Sequence, residues 1–189
     1  MNKSHEELPE VLASEEVFSG RVIEVAVDTV REGDQTYTRE VVRHNGGAGV
    51  VAYFDDGTIA LVRQYRHPTG RYVTELPAGK IEAGERPEEC AARELEEEIG
   101  ARAGRLELLS EFFTTPGFCA EKLWVYLATE LTVTAQSLED DELVEVVRIP
   151  LARALEMVAS REIEDAKTII GILLAAPRLS ARAPSRGEF

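Results

Sequence analysis

The sequence predicts an α+β fold, a mixed β-sheet held between helices, with a small antiparallel β-subdomain at the N-terminus. Three observations carry this prediction. Short runs of alternating or continuously apolar residues, bounded by turn signals, recur between Arg21 and Ile149. Helical spacing takes over after Pro87, after Pro150 and after Asp165. A chain of 189 residues with 44% hydrophobic side chains can bury a sizeable core in one domain.

Taken in order, residues 1–17 are acidic and without clear period, and read as a loosely ordered arm. Between Arg21 and Val30, Ile23, Val25 and Val27 alternate with Glu24, Ala26 and Asp28, which is strand spacing. Glu32-Gly33-Asp34 is a turn, and Gln35 to His44 is a second strand rich in Thr, Tyr and Val. These two form a hairpin that ends at Asn45-Gly46-Gly47. A lone hairpin is marginal in water, so it must lean on the rest of the chain or on a second copy.

Residues 47–176 read as the main domain. Gly49 to Phe54 and Ile59 to Tyr65 are apolar strands joined by Asp56-Gly57, a strong hairpin signal. Val73 to Leu76 leads into Pro77, and a glycine-bearing loop leads into a helix from Pro87 to Gly100. Leu106 to Phe113, Leu123 to Ala128 and Val144 to Ile149 follow as strands. Pro150 opens a short helix through Ala159, and Asp165 is the expected N-cap of a last helix, Ala166 to Ala176. From Pro177 to Phe189 the tail is polar and basic, and is expected to be disordered.

The net charge of −14 argues against nucleic acid or an anionic membrane as the main partner, since both require a basic footprint. The two cysteines, Cys90 and Cys119, form no CxxC pair and read as reduced thiols. No apolar run matches a signal peptide or a membrane-spanning helix. A cytoplasmic location is the expectation.

The helix after Pro87 carries the chemistry. Ala91, Leu95 and Ile99 supply its buried stripe, while Glu94, Glu97 and Glu98 converge on another face. Like charges four residues apart cost roughly 0.2–0.5 kcal/mol per pair, and only Arg93 offsets them locally. A solvated acidic face is one reading. A site for a hard divalent cation is the other, because Mg²⁺ takes carboxylate oxygens and keeps waters that a phosphate can replace.

Spacing decides between them. The segment matches G-x5-E-x7-R-E-U-x-E-E-x-G-U, U being apolar, through Gly79, Glu85, Arg93, Glu94, Leu95, Glu97, Glu98, Gly100 and Ala101. Seven fixed letters at background frequency recur by chance on the order of once in 10⁸ positions. Rival motifs fail. Gly47-x-Gly49-x-x-Ala52 precedes a strand instead of opening a helix, and Gly79-Lys80 lacks the rest of a P-loop. His5, His44 and His67 have no zinc spacing.

The motif resembles the signature of the Nudix hydrolases, which cleave a nucleoside diphosphate linked to another moiety. Ala101, smaller than the usual Ile, Leu or Val, is its one departure. The resemblance implies an α/β/α Nudix sandwich. It also implies Mg²⁺, with Mn²⁺ as a substitute, held by Glu94, Glu97, Glu98 and the Ala78 carbonyl. Glu98, Glu97 and Glu94 would be catalytic, and Gly79, Glu85, Arg93 and Gly100 would shape the motif, with Arg93 pairing to Glu85.

Three further segments are similar to the ADP-ribose pyrophosphatases of that family: Arg63 to Pro68 followed by Glu75 to Gly79, Pro116-Gly117-Phe118, and Asp141 to Val146. By itself Pro116-Gly117 is equally an ordinary turn. The last segment falls where the family has a catalytic acidic loop, which implies Glu142 as general base or additional ligand, with Glu139 and Asp140 as neighbouring alternatives. Arg66 then corresponds to a phosphate contact, Arg43 to one near adenine or ribose, and Glu75 to a ribose-side acceptor. For each of these the competing reading is a surface ion pair. A homodimer with exchanged N-terminal strands is implied as well.

The expected activity is hydrolysis of ADP-ribose to AMP and ribose 5-phosphate. Cleavage of another nucleoside diphosphate sugar, such as GDP-mannose, is the nearest rival. A non-enzymatic ADP-ribose sensor is a rival of another class, whose signs would be a broken motif or an added basic module. Every motif carboxylate is present here.

Overall fold

A computed structural model describes residues 8–138 and 143–181. The chain divides into two compact units, one running to Gly46 together with Phe113–Lys122, the other holding Gly47–Phe112 and the chain from Leu123 onward.

In the first unit, β1 (Glu10–Ser19), β2 (Glu24–Glu32) and β3 (Gln35–Arg43) form an antiparallel sheet in that order. Strand alternation turns Ala26, Asp28 and Val30 of β2 inward, whereas β1 is exposed along its whole length. The strand β1 corrects the expectation of a loose arm over residues 10–17, while residues 1–7 of that arm lie outside the described residues. Its register against β2 shifts between Val11 and Ala13 and again between Glu16 and Phe18. Each shift changes which side chains share a face, which erases the period from the sequence. Phe113–Lys122 joins this unit through backbone bonds to β3: Val42 N–H donates to the Phe118 carbonyl at 2.8 Å, and Ala120 N–H to the Val42 carbonyl at 2.9 Å.

The second unit holds a seven-stranded mixed sheet of β4 (Gly47–Tyr53), β5 (Thr58–Arg66), β6 (Arg71–Glu75), β7 (Ala78–Lys80), β8 (Ala101–Phe113), β9 (Lys122–Val133) and β10 (Glu145–Pro150). Its order is β10-β5-β4-β9-β8, with β6 paired to β5 and β7 to β4. The β4–β9 pair is parallel, while β5 is antiparallel to β4, β6 and β10. Among the described residues its α-helices are α1 (Pro87–Glu94), α2 (Leu151–Ala159) and α3 (Ala166–Ser180).

One strand shows how the layers form. Ala48, Val50 and Ala52 of β4 pack in a cluster with Cys90, Ala91 and Leu95. Val51 packs on the opposite side with Ala154 of α2 and with Ile172, Ala175 and Leu179 of α3. Neighbouring strand residues point to opposite faces, so a strand apolar at every position must be covered twice. The result is the helix–sheet–helix sandwich that the sequence predicts.

Four elements of this unit differ from the sequence-based expectation. The segment Ala78–Lys80 is a short strand where a loop is predicted. The strands β8 and β9 run beyond Leu106–Phe113 and Leu123–Ala128. The helix α3 passes through Pro177 to Ser180 instead of giving way to a tail there. Proline removes one donor from a helix, but Leu179 lies in the core beside Ala175 and holds the last turn in place. Residues 182–189 lie outside the described residues.

Candidate active site

The site is built where β7 meets the acidic helix. Residues Ala78, Gly79 and Lys80 pair with Gly49, Ala48 and Gly47 of β4. A turn follows, in which Glu82 N–H donates to Glu85 Oε2 at 2.9 Å. Pro87 opens α1, and Arg86 N–H donates to Glu89 Oε2 at 2.9 Å, the reciprocal half of a capping box.

A correction to the motif helix comes next. It is α-helical only to Glu94; Leu95–Ile99 is a π-helical turn, closed by Gly100 at φ 68°. A π turn inserts one residue into the helical repeat, so side chains after Glu94 rotate relative to those before it. Leu95 stays fully buried while Ile99 is only partly so. Such turns are frequent at functional sites, and this one carries Glu97 and Glu98.

Each motif carboxylate has a donor. Glu98, 1% exposed, accepts from Ala78 N–H at 2.8 Å. Arg93 Nη1 donates to Glu94 Oε1 at 2.6 Å and to Glu97 Oε2 at 2.9 Å, while its Nε donates to Glu85 Oε1 at 2.9 Å. Hydrogen bonding to Glu85 raises the Arg93 pKa well above its ordinary value; burial opposes this, and Glu94 and Glu97 add to it. The Glu94 carboxylate lies so close over Gly79 that any β-carbon there would overlap it. Burial pushes the Cys90 thiol up to about 12, with Glu85 and Glu94 adding, so this neighbour is an inert thiol.

Among the described residues, no three acidic, histidine or cysteine side chains already stand together as a metal-holding group. The carboxylates are instead taken up by Arg93 and by the Ala78 amide. Their chemistry still fits a hard cation, because the donors on offer are carboxylate oxygens and a backbone carbonyl. Glu142, the expected base, lies outside the described residues, as do Glu139, Asp140 and Asp141.

The end of the acidic turn is strapped down by the chain after β9. Thr134 N–H donates to the Gly100 carbonyl at 2.7 Å, Gln136 Nε2 to the Glu98 carbonyl at 2.7 Å, and Ser137 N–H to the Glu97 carbonyl at 3.0 Å. These bonds satisfy carbonyls that a helix end leaves open.

A second charged group lies in the same unit. Arg66 donates through Nε to Glu75 Oε1 at 2.6 Å and through Nη2 to Oε2 at 3.0 Å. Burial pulls the Arg66 pKa down, but the Glu75 carboxylate, with Glu98 and Asp165 beyond it, lifts the value above its ordinary one. Burial would likewise raise the Glu75 pKa; Arg66 and Lys167 win and hold it low. Lys167 also bonds Glu75 Oε2. Sequence reasoning missed Lys167, although its place just inside an Asp-capped helix was a readable signal.

Arg43, Pro116 and Gly117 belong to the first unit. Arg43 Nη2 donates to Ser14 Oγ at 3.1 Å and to Asp28 Oδ1 at 3.4 Å. Pro116 and Gly117 line a cavity of about 410 Å³ with Arg39, Val41, Phe113 and Phe118.

Fold and site together define a mixed-sheet sandwich in which a short glycine-bearing strand cradles a glutamate-rich helix turn. The NUDIX domain matches residues 43–169, and the chain belongs to that family. It is 45% identical over 173 residues to an ADP-ribose pyrophosphatase of Bacillus subtilis (strain 168), covering 90% of this chain and 92% of that one. A methanol dehydrogenase activator of Bacillus methanolicus is 40% identical over 175 residues, covering 91% and 94%. An ADP-ribose pyrophosphatase of Mycobacterium tuberculosis (strain ATCC 25618 / H37Rv) is 40% identical over 168 residues, covering 87% and 81%. The fold also matches the crystal structure of an ADP compounds hydrolase with a TM-score of 0.81 at 24% identity, covering 94% of this chain and 97% of that one.

Proposed function

We propose that the protein is a Mg²⁺-dependent pyrophosphohydrolase that cleaves ADP-ribose to AMP and ribose 5-phosphate. The observation that carries the chemistry is Glu98, a carboxylate 1% exposed, fixed on Ala78 N–H, on the same helix turn as Glu97. The substrate reading is supported by the relatives at 45% and 40% identity named ADP-ribose pyrophosphatase.

Glu94, Glu97, Glu98 and the Ala78 carbonyl would hold the cation, and Mn²⁺ shares its preference for oxygen. When bound, Mg²⁺ supplies Lewis-acid neutralisation of the diphosphate and an acidified water. Water adds across the P–O–P bridge: one P–O bond forms, the bridging P–O bond breaks, and each product leaves with a phosphate. Arg66 orients the diphosphate and Glu75 holds Arg66. Arg43 is assigned to a contact near adenine or ribose, Glu75 also to the ribose side, Pro116 and Gly117 to substrate binding, and Glu142 to the base or a further ligand.

The same reading includes a homodimer through the N-terminal strands and a cytoplasmic location. The first is supported by β1, where Val11, Leu12, Val17 and Phe18 are all exposed. The second is supported by the unpaired thiols of Cys90 and Cys119.

A second substrate has an observation in its favour. A GDP-mannose pyrophosphatase of Yersinia enterocolitica serotype O:8 / biotype 1B (strain NCTC 13174 / 8081) is 35% identical over 143 residues, covering 70% of this chain and 74% of that one. Phosphate release from a panel of nucleoside diphosphate sugars, coupled to a phosphatase and run with Mg²⁺ or EDTA, tests both. ADP-ribose should give the highest kcat/KM and EDTA should abolish turnover. Preference for GDP-mannose, or metal-independent turnover, overturns the assignment.

A further inference from the structure

A lysine is out of place in the first turn of an α-helix. The N–H groups there create a positive field that favours acidic side chains. The helix α3 obeys this at its cap, where Asp165 accepts from Thr168 N–H at 2.9 Å. Lys167 breaks it, and its side chain is only 11% exposed. A local violation of this kind is held in place by something else in the structure.

The compensation comes from two carboxylates. Lys167 Nζ bonds Glu75 Oε2 and lies 3.1 Å from Asp165 Oδ2. Its stem passes Gly49: a β-carbon there would sit 3.8 Å from Lys167 Cδ and 3.4 Å from Ala78 Cβ. The Lys167 stem therefore runs past β4 at Gly49 and ends on the carboxylate that grips Arg66. The chain of bonds closes behind it, since Asp165 also takes Thr168 Oγ1 at 2.5 Å, and Thr168 Oγ1 accepts from Leu76 N–H at 2.8 Å, beside Glu75. Arg66 uses Nε and Nη2 on Glu75, and its side chain is still 40% exposed. Nη1 takes no part in that pair.

We propose that Lys167 is a positioning residue, which holds Glu75 in the orientation that presents Arg66 to the diphosphate of the substrate. This rests on the pyrophosphohydrolase reading, because it takes Arg66 as the phosphate contact. Without Lys167 the Glu75 carboxylate keeps one cation instead of two and is free to turn, and the arginine fork turns with it. Substrate and transition state would lose the same contact, which shows in KM and not in kcat.

The test is steady-state kinetics of Lys167→Met and Lys167→Arg with the best sugar of the wild-type panel, beside their melting curves. Lys167→Met should raise KM about tenfold with kcat within about threefold, and Lys167→Arg should bring KM back to within about threefold of wild type. Combining Lys167→Met with Arg66→Met should add little to the KM of Arg66→Met alone, as expected for residues acting through one contact. Where Lys167→Met fails to fold, Glu75→Gln/Lys167→Met removes both buried charges and should show the same raised KM. An unchanged KM, a fall in kcat alone, or additive effects overturns the proposal. Calorimetric binding of ADP-ribose without metal separates the two readings. A wild type that turns over no sugar sinks the pyrophosphohydrolase, whereas equal affinity of wild type and Lys167→Met sinks the role of Lys167.

Discussion

Glu98 accepts a hydrogen bond at 2.8 Å from the backbone N–H of Ala78, a residue on a different element of the same motif. The bond fixes a buried carboxylate beside the carbonyl-bearing strand with which it would share a cation. Glu98→Gln keeps an oxygen for that N–H and removes the charge. Turnover should fall by roughly 10²–10⁴-fold, with the melting temperature nearly unchanged. Steady-state rates beside a thermal melt check both halves; a mutant at wild-type rate refutes the role.

Arg93 gathers Glu85, Glu94 and Glu97 around one guanidinium. Arg93→Ala leaves those carboxylates facing one another with no cation, at a cost of about 1–3 kcal/mol. Melting should drop by about 2–4 °C for each kcal/mol in a chain of this size. If these carboxylates hold Mg²⁺ in the folded site, the cation should return more stability to the mutant than to wild type. Melts in Mg²⁺ and in EDTA measure this.

Gly79 admits the Glu94 carboxylate where a β-carbon would overlap it. The atoms in the way are the far end of a side chain, so Gly79→Ala should change stability by only about 1 kcal/mol. The displaced carboxylate should cost about 10-fold or more in metal affinity, the usual loss when a ligand's support is altered. A Mg²⁺ titration of activity reads that shift.

Glu75 has its folded pKa held below the ordinary carboxyl value, since Arg66 and Lys167 outweigh burial. Its stabilising contribution is full above the unfolded value near ~4.3 and is lost as pH falls through the lower folded value. Glu75→Gln should therefore be less stable than wild type at neutral pH. The gap should narrow below about pH 4, as wild type loses the same charge. Melting temperatures from pH 7 to pH 3 follow the convergence.

The strand β1 leaves Val11, Leu12, Val17 and Phe18 in solvent along an edge. A second copy should cover it, and light scattering should return twice the chain mass. Val17→Glu combined with Phe18→Glu should give a monomer.

The parts legible in the sequence are those whose cause is local. The glutamate motif is fixed by spacing, Asp165 by its capping chemistry, and the two-faced strand β4 by unbroken apolarity. What escaped is set at a distance. The pairing of β1 is hidden by its register shifts, and Val42 meets Cys119 through a bridge between remote segments. Lys167 is readable as an odd residue in the first turn of an Asp-capped helix, but its partner Glu75, 92 residues away, is not. The π turn at Leu95 escaped for another reason: regular helical spacing places Ile99 on the buried stripe, and nothing in the letters marks the extra residue.

The strap from Thr134 to Ser137 separates two kinds of change. Thr134 and Ser137 hold the carbonyls of Gly100 and Glu97 through backbone N–H groups, whereas Gln136 holds the Glu98 carbonyl with its own side chain. A substitution at Gln136 would therefore reach the glutamate turn from outside the motif, whereas a new side chain at Thr134 or Ser137 leaves its backbone donor in place.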